Sequence, residues 1–459
     1  MSDLAFATRS AVAGEHWPGL PSPRGAMLAA LLYQFERDEW LSAAVLQDRQ
    51  FTQIQRLLGH ALDTVPYYRE RRSHYPDPTA AIDAAGWSGL PVLTRRTIQT
   101  AGERLHSEAV PPEMGKVYRA ETSGSTGEPV RLYRTELDRL LWEALTLREH
   151  YWHERDFGAK LASIRVLEHG QGAPPEGTLL PCWGGPASEL HDTGPLALLA
   201  LDTDIEIQVP WLQRQDPDYL LTYPTNLAAL LDHAERHGWT LPHLRVIRSV
   251  GETLPEALRE RCRALWGLEI ADLYSSREIG YLALQCPLSG LYHITAETVL
   301  VEVLDADGRA VEPGGVGRLV VTALHNYATP LLRYELNDYA EVGPPCPCGR
   351  GLPTLRRILG RTRNMVVFPD GRRHWPLVGF GRFRDVAPIR QYQLVQTTPE
   401  RITVRLVVDR PLVAAEESAM TEIIHSALGH PFTLDFDYVA SALPRGPGGK
   451  FEEFVSRVT

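Results

Sequence analysis

Thr122-Ser123-Gly124-Ser125-Thr126-Gly127-Glu128-Pro129 follows directly on the strand-like segment Lys116-Val117-Tyr118-Arg119. Four hydroxyl residues and two glycines share these eight positions. Glycine accepts backbone conformations that a side chain forbids, so its neighbours' N–H groups can turn toward a ligand. Serine and threonine hydroxyls add rotatable donors, and a loop of this composition can wrap an anion such as a polyphosphate. The same residue types also build ordinary solvated turns. It is not a Walker loop, because no Gly-Lys-Ser/Thr closes it. The rest of the chain has to decide between the two readings.

Working outward, Arg24 to Arg72 reads as helical, with Leu28, Leu31, Leu32 and Phe35 on one face and Ile54, Leu57, Leu58 and Ala61 on another. Pro66 breaks the second helix, and Thr94 marks a further helix start after Leu90-Pro91-Val92-Leu93. Beyond the hydroxyl loop, Glu136 to His150 has a helical pattern. Apolar strand candidates then alternate with helices: Leu220–Tyr223, Asn226–His237, Val246–Val250, Pro255–Trp266 and Ile270–Tyr274. This alternation predicts a parallel α/β sheet. From Val299 to Val342 the character turns to β, and the last hundred or so residues combine strand patterns with one helix, Ala415–Leu428. The expected fold class is α/β: an N-terminal domain over 1–360, with a helical start at 1–115 and an α/β core plus β subdomain at 116–360. A small separate α+β unit over 361–459 follows.

The 459 residues suffice for two or three domains, and a formal net charge of −10 argues against the basic face that non-specific nucleic-acid binding needs. No apolar run has the length of a membrane span, with Pro195–Leu201 the nearest approach. Five cysteines, an odd number, fit a reducing compartment better than a disulfide framework. A soluble, cytoplasmic protein is expected, with its oligomeric state open.

Four further segments offer what a phosphate loop would need. Tyr274-Ser275-Ser276-Arg277-Glu278 follows a predicted strand, and its carboxylate either holds Mg²⁺ against phosphates or starts a helix. Asp338 stands in Arg333-Tyr334-Glu335-Leu336-Asn337-Asp338, where an acid can accept both ribose hydroxyls or simply form a turn. Gly360-Arg361-Thr362-Arg363-Asn364 lies at the domain junction, and Pro444-Arg445-Gly446-Pro447-Gly448-Gly449-Lys450 puts one lysine on a glycine-rich loop.

In order and spacing these five segments resemble the adenylate-forming superfamily, and more narrowly its phenylacetate–CoA ligase and capsule-biosynthesis-like branch. The resemblance runs from about Leu57 to the end. It implies activation of a carboxylic acid by ATP through an acyl adenylate with release of pyrophosphate, then transfer to coenzyme A. It also implies that the small α+β unit over 361–459 is a mobile lid. Transfer to an amine or a carrier-protein thiol is the alternative, and a non-catalytic nucleotide-binding relative is the reading from another class. The acid stays unnamed; Trp183, Tyr223 and Tyr281 could wall an aromatic one.

The resemblance also assigns residues. Thr122, Ser123, Gly124, Ser125, Thr126 and Gly127 would close over the β- and γ-phosphates, with Thr126 counted as catalytic. Glu278 would bind Mg²⁺. Asp338 would grip the ribose with support from Arg361, while Gly251, Glu252, Thr253, Tyr274 and Ser275 would line the nucleotide site. Lys450 would stand beside the carboxylate and α-phosphate, where charge gathers in the transition state. Ser275, Arg277 and Arg363 depart from the family's usual residues.

Cys286, His293, Cys346 and Cys348 form a separate constellation. Three thiolates and an imidazole would complete a tetrahedral, structural Zn²⁺ site with no open position. The Cys-x-Cys gap is tighter than usual, and buried free cysteines beside an unrelated histidine are the alternative. The branch resembled has cysteines and a histidine in similar places.

Overall fold

The computed structural model describes residues 8–121, 130–168, 170–361, 365–374, 383, 386–440, 443 and 453–458. The chain divides into two compact units. The first comprises Met1–Thr222, Leu241–Gly251 and Ile270–Ile358, and the second Tyr223–Thr240, Glu252–Glu269 and Leu359–Thr459.

Strands β1 (Val117–Glu121) and β2 (Arg131–Thr135) form an antiparallel hairpin in which Glu121 faces Arg131. The hydroxyl loop lies between them in the chain, outside the described residues. A large sheet follows, built from β3 (Leu161–Arg165), β4 (Thr178–Leu180), β5 (Leu196–Ala200), β6 (Tyr219–Thr222), β7 (Val246–Ser249) and β8 (Ile270–Ser276). It continues with β9 (Gly280–Gln285), β10 (Tyr292–Ile294), β11 (Val299–Leu304), β12 (Val316–Ala323), β13 (Tyr334–Val342) and β14 (Thr354–Arg361). The strand order is β11-β12-β13-β14-β10-β9-β8-β7-β6-β3-β5-β4.

Strands β5, β3, β6, β7 and β8 run parallel, while β8–β9, β9–β10, β10–β14, β11–β12 and β12–β13 are antiparallel. Because β3 has β5 on one side and β6 on the other, the strand order reverses there. In open α/β sheets that is where ligand crevices form. The β3 strand was not among the sequence-predicted strands. It is buried on both faces, so Leu-Ala-Ser-Ile lacks the alternation that marks a half-exposed strand.

The helix Glu136–Trp152 begins at a capping box, in which Thr135 accepts from the Asp138 N–H and Asp138 accepts from the Thr135 N–H. This reciprocal pair satisfies two helix-end donors inside the protein. Further along, Glu149 and Arg155 are both about 1% exposed and joined by two bonds of 2.5 and 2.6 Å.

In the second unit, four strands stand in the order Thr433–Tyr438, Arg401–Val408, Ile389–Thr398 and Phe454–Ser456. Met420, Ile424 and Leu428 of the helix Ala414–Leu428 are buried in that unit's core with Ile402, Val404 and Leu406. Among the described residues, no helix is long and apolar enough to cross a membrane.

Thr135→Ala removes the capping hydroxyl and leaves the buried Asp138 carboxylate short of a donor. It should cost about 1–2 kcal/mol, read as a lower urea midpoint with an unchanged m value.

Candidate functional site

Strand β8 carries the first candidate segment. A register shift between Tyr274 and Ser275, where β8 meets β9, breaks the ladder and re-aims the side chains that follow. Glu278 falls in the turn between the two strands, which excludes the helix-start alternative for it. Its carboxylate lies 3.6 Å from the Arg95 guanidinium, and both side chains are largely buried. Arg95 opens the helix Arg95–Ala101, whose N-cap is Thr94. The preceding Leu93 bridges to Tyr334 and ties that helix start to β13.

The β1–β2 hairpin reaches the same turn. Arg134 Nη2 donates to the Ile279 carbonyl at 3.1 Å. Gly280 has φ of +101°, and a Cβ there would sit 3.2 Å from that guanidinium. Glycine is needed for the backbone angle, and it also lets Arg134 come close.

Asp338 lies within β13 rather than at a strand end. Tyr274 donates its hydroxyl to Asp338 Oδ2 at 2.7 Å, which fixes the phenol ring against the sheet. Tyr274 is 9% exposed. Two residues that the sequence singled out for one nucleotide, far apart in the chain, are thus in direct contact. Ser275 and Arg277 are exposed, and the Ser276 hydroxyl accepts from the Ile279 N–H at 3.1 Å.

After β7, Gly251 adopts a positive φ of 80°. In the second unit, the Glu252 carboxylate accepts from the Thr225 N–H at 3.0 Å and its hydroxyl at 3.1 Å, capping the first turn of the helix Pro224–His237. This gives Glu252 a structural task beside the one expected of it. Thr253 is exposed. Thr122–Pro129, His169, Arg363 and Lys450 lie outside the described residues, and Arg361 is the last residue of β14.

The cysteine cluster is assembled. The donor atoms of Cys286, His293, Cys346 and Cys348 all lie within 4.8 Å of one another. Cys286 and His293 come from the β9–β10 hairpin, and Cys346 and Cys348 from the segment before β14. The Cys286 and Cys346 sulfurs are 3.8 Å apart, too far for a disulfide. Cys348 Sγ is 3.3 Å from His293 Nε2. Two thiolates at Zn–S distances of about 2.3 Å in a tetrahedron stand about 3.8 Å apart, so the spacing fits a closed tetrahedral site. Burial pushes the Cys286 thiol up, but hydrogen bonds from His293 and Ser289 outweigh it and hold the group toward thiolate.

With this geometry in view, the likeness to known proteins takes on meaning. No protein-family model matches the chain. A phenylacetate-coenzyme A ligase of Thermus thermophilus is 26% identical over 358 residues, covering 73% of this chain and 75% of that one. Another protein of that name, from Pseudomonas putida, is 26% identical over 341 residues and covers 72% and 73%. Among solved structures, 2-hydroxyisobutyryl-CoA ligase in its postadenylation state covers 92% of this chain and 91% of its own, with a TM-score of 0.72 at 17% identity. The last comparison speaks to the fold alone.

The chain is similar in sequence to phenylacetate-coenzyme A ligases and in fold to an adenylate-forming CoA ligase.

It is an enzyme, a ligase, whose curated relatives are named phenylacetate-coenzyme A ligase. Sequence reasoning named Tyr274, Glu278 and Asp338 and gave no part to Arg95 and Arg134, which contact the same turn. Neither arginine stands in a recognisable motif. The only available signal was the Thr94 helix start, which gives Arg95 a defined place at a helix end.

Gly280→Ala forces an alanine into φ near +101° and displaces Arg134 from the Ile279 carbonyl. A loss of about 1 kcal/mol or more is expected, measured as a lower thermal midpoint.

Proposed function

We propose that this ligase activates a small carboxylic acid with ATP. The carboxylate oxygen attacks the α-phosphorus, the bond from that phosphorus to the bridging oxygen breaks, and pyrophosphate leaves with the electron pair. In the second step a thiol sulfur attacks the acyl carbonyl carbon and AMP departs. Coenzyme A is the acceptor this reading favours, supported by the names of the relatives. The observation that carries the reading is the pairing of Tyr274 with Asp338 beside the Glu278 turn, since those residues serve one nucleotide in the proposed scheme.

In this scheme Asp338 accepts the ribose hydroxyls, and Tyr274, oriented by its bond to Asp338, faces the base. Thr122–Gly127 donate to the phosphates. Lys450, from the proposed small domain at 361–459, offsets charge at the α-phosphate. Glu278 would hold Mg²⁺: a single carboxylate in the turn after β8 suits a cation that takes one or two carboxylates together with phosphate oxygens. When bound, Mg²⁺ would neutralise charge on the leaving pyrophosphate.

Cys286, His293, Cys346 and Cys348 are proposed to hold a structural Zn²⁺, which leaves no position for substrate. Around them, Arg350 pairs with Glu39 at 2.9 Å and lies over the Trp152 ring at 4.4 Å. The metal would therefore lock the β9–β10 hairpin to the start of β14.

Two measurements test these assignments. Acid-dependent exchange of labelled pyrophosphate into ATP should occur with the wild type. It should fall about 1,000-fold in Lys450→Ala while ATP binding by calorimetry persists. Exchange with no acid in a broad panel would sink the proposal. Separately, elemental analysis should find one zinc per chain, lost in Cys348→Ser together with roughly 5 °C or more of thermal midpoint. A fully folded, metal-free wild type would rule out the zinc assignment.

A further inference from the structure

A cavity of about 240 Å³ in the first unit opens onto the sheet where the strand order reverses. Alternation along β3 puts Leu161, Ser163 and Arg165 on one face, and all three line the cavity. The register aligns Leu198 with Ser163, Ser163 with Leu221, and Leu221 with Arg248, forming one row across β5, β3, β6 and β7. Leucines and Trp183 make much of the wall, so the two polar members of this row are conspicuous. Both are buried, with Ser163 2% and Arg248 7% exposed.

Arg248 bonds Glu149 and Tyr281, yet each polar group keeps one buried atom that the protein does not meet. Ser163 Oγ and Arg248 Nε have no hydrogen-bond partner among the described residues. A buried donor without a partner is costly, so such groups usually have an occupant to meet.

Charge points the same way. Arg248 Nη2 binds Glu149 at 2.6 Å, but the same carboxylate already takes two bonds from Arg155. Two buried guanidinium groups thus share one carboxylate. His150, which also lines the cavity, cannot supply negative charge. Its Nδ1 lies 3.1 Å from Arg155 Nη1 and accepts from it, which puts the ring proton on Nε2. Burial and the two arginines hold His150 well below its ordinary pKa, so the ring is neutral. Arg165 adds a further cation, and no carboxylate lines the cavity. The lining offers donors and positive charge, and its natural complement is an anionic acceptor.

We infer that this cavity is the acyl subsite and that it selects an acid bearing a second carboxylate, received by Arg248 and Ser163. The inference rests on the adenylation reading above and names its substrate class. The bound carboxylate is not the reacting one, because Arg95, Tyr274, Glu278 and Asp338 are all absent from the lining. The acid therefore enters with one carboxyl group buried on the polar row and keeps the other for ATP. An apolar acid in this cavity would leave Arg248 Nε and Ser163 Oγ unmet, which is how such a site rejects it.

Matched acids test this in the pyrophosphate exchange assay on the full chain: adipate against hexanoate, and 4-carboxyphenylacetate against phenylacetate. The diacid of at least one pair should be preferred by about tenfold or more. Arg248→Met should lower diacid kcat/KM by about 100-fold and Ser163→Ala by about fivefold, with the monoacid unchanged or improved. Glu149 keeps Arg155 in Arg248→Met, and Ser163→Ala is nearly isosteric, so one of the two variants will report if the other misfolds. Preference for the monoacids, or an unchanged diacid-to-monoacid ratio in both variants, overturns the inference and leaves adenylation standing. If no acid supports exchange, adenylation fails instead, and thermal shift decides the cavity separately. Stabilisation by a diacid that is lost in Arg248→Met upholds the anion site, and its absence in the wild type removes it.

Discussion

Strand β8 is bonded in two different ways along its two edges, and the site depends on that. One edge pairs in parallel with β7, the other antiparallel with β9. Parallel pairing buries the strand among crossovers, whereas antiparallel pairing allows a tight reversal. The transition occurs within seven residues, Ile270–Ser276, and the register shift at Tyr274 and Ser275 absorbs the mismatch. Tyr274 is thereby aimed at Asp338 while Glu278 is carried into a short turn rather than a crossover helix. A regular ladder through that point would turn the following side chains to the other face of the sheet.

The surrounding elements converge on this turn through polar contacts rather than apolar packing alone. Arg134 reaches it from β2, Arg95 from a helix start, and β13 brings Asp338. Each contact joins segments distant in sequence, so the site forms only once the large sheet has formed. The Cys286–Cys348 cluster lies on the next hairpin of the same run of strands, and a bound metal there would stiffen β9 from its far end.

How much of this the sequence disclosed depended on whether a residue stood in an ordered motif. Tyr274, Glu278 and Asp338 were legible because five segments followed one another in a recognised order. Cys286, His293, Cys346 and Cys348 were legible because few chemistries use three thiols and an imidazole. The strands β7, β11 and the one at Arg401–Val408 were visible through dense β-branched residues. By contrast β5 was noticed only as an apolar run, Pro195–Leu201, and β3 not at all, since a strand buried on both faces carries no period to read. Arg248 was seen inside a strand candidate and given no part. A single arginine in Val-Ile-Arg-Ser says nothing until the fold sets it beside Glu149 and opposite a cavity.

That last case shows why buried charge is informative here. An arginine drawn into a sheet loses hydration worth several kcal/mol, which one shared carboxylate at 2.6 Å offsets only in part. Replacing Arg248 by an aliphatic residue would relieve that cost, and Glu149 would retain Arg155. Stability therefore gives no reason for Arg248 to be there. The Glu149 carboxylate is already held by Arg155, and Arg248 adds a second guanidinium to it and a bond to Tyr281. A second guanidinium on one carboxylate, beside a cavity whose lining holds no acid, makes sense as a group kept for a ligand.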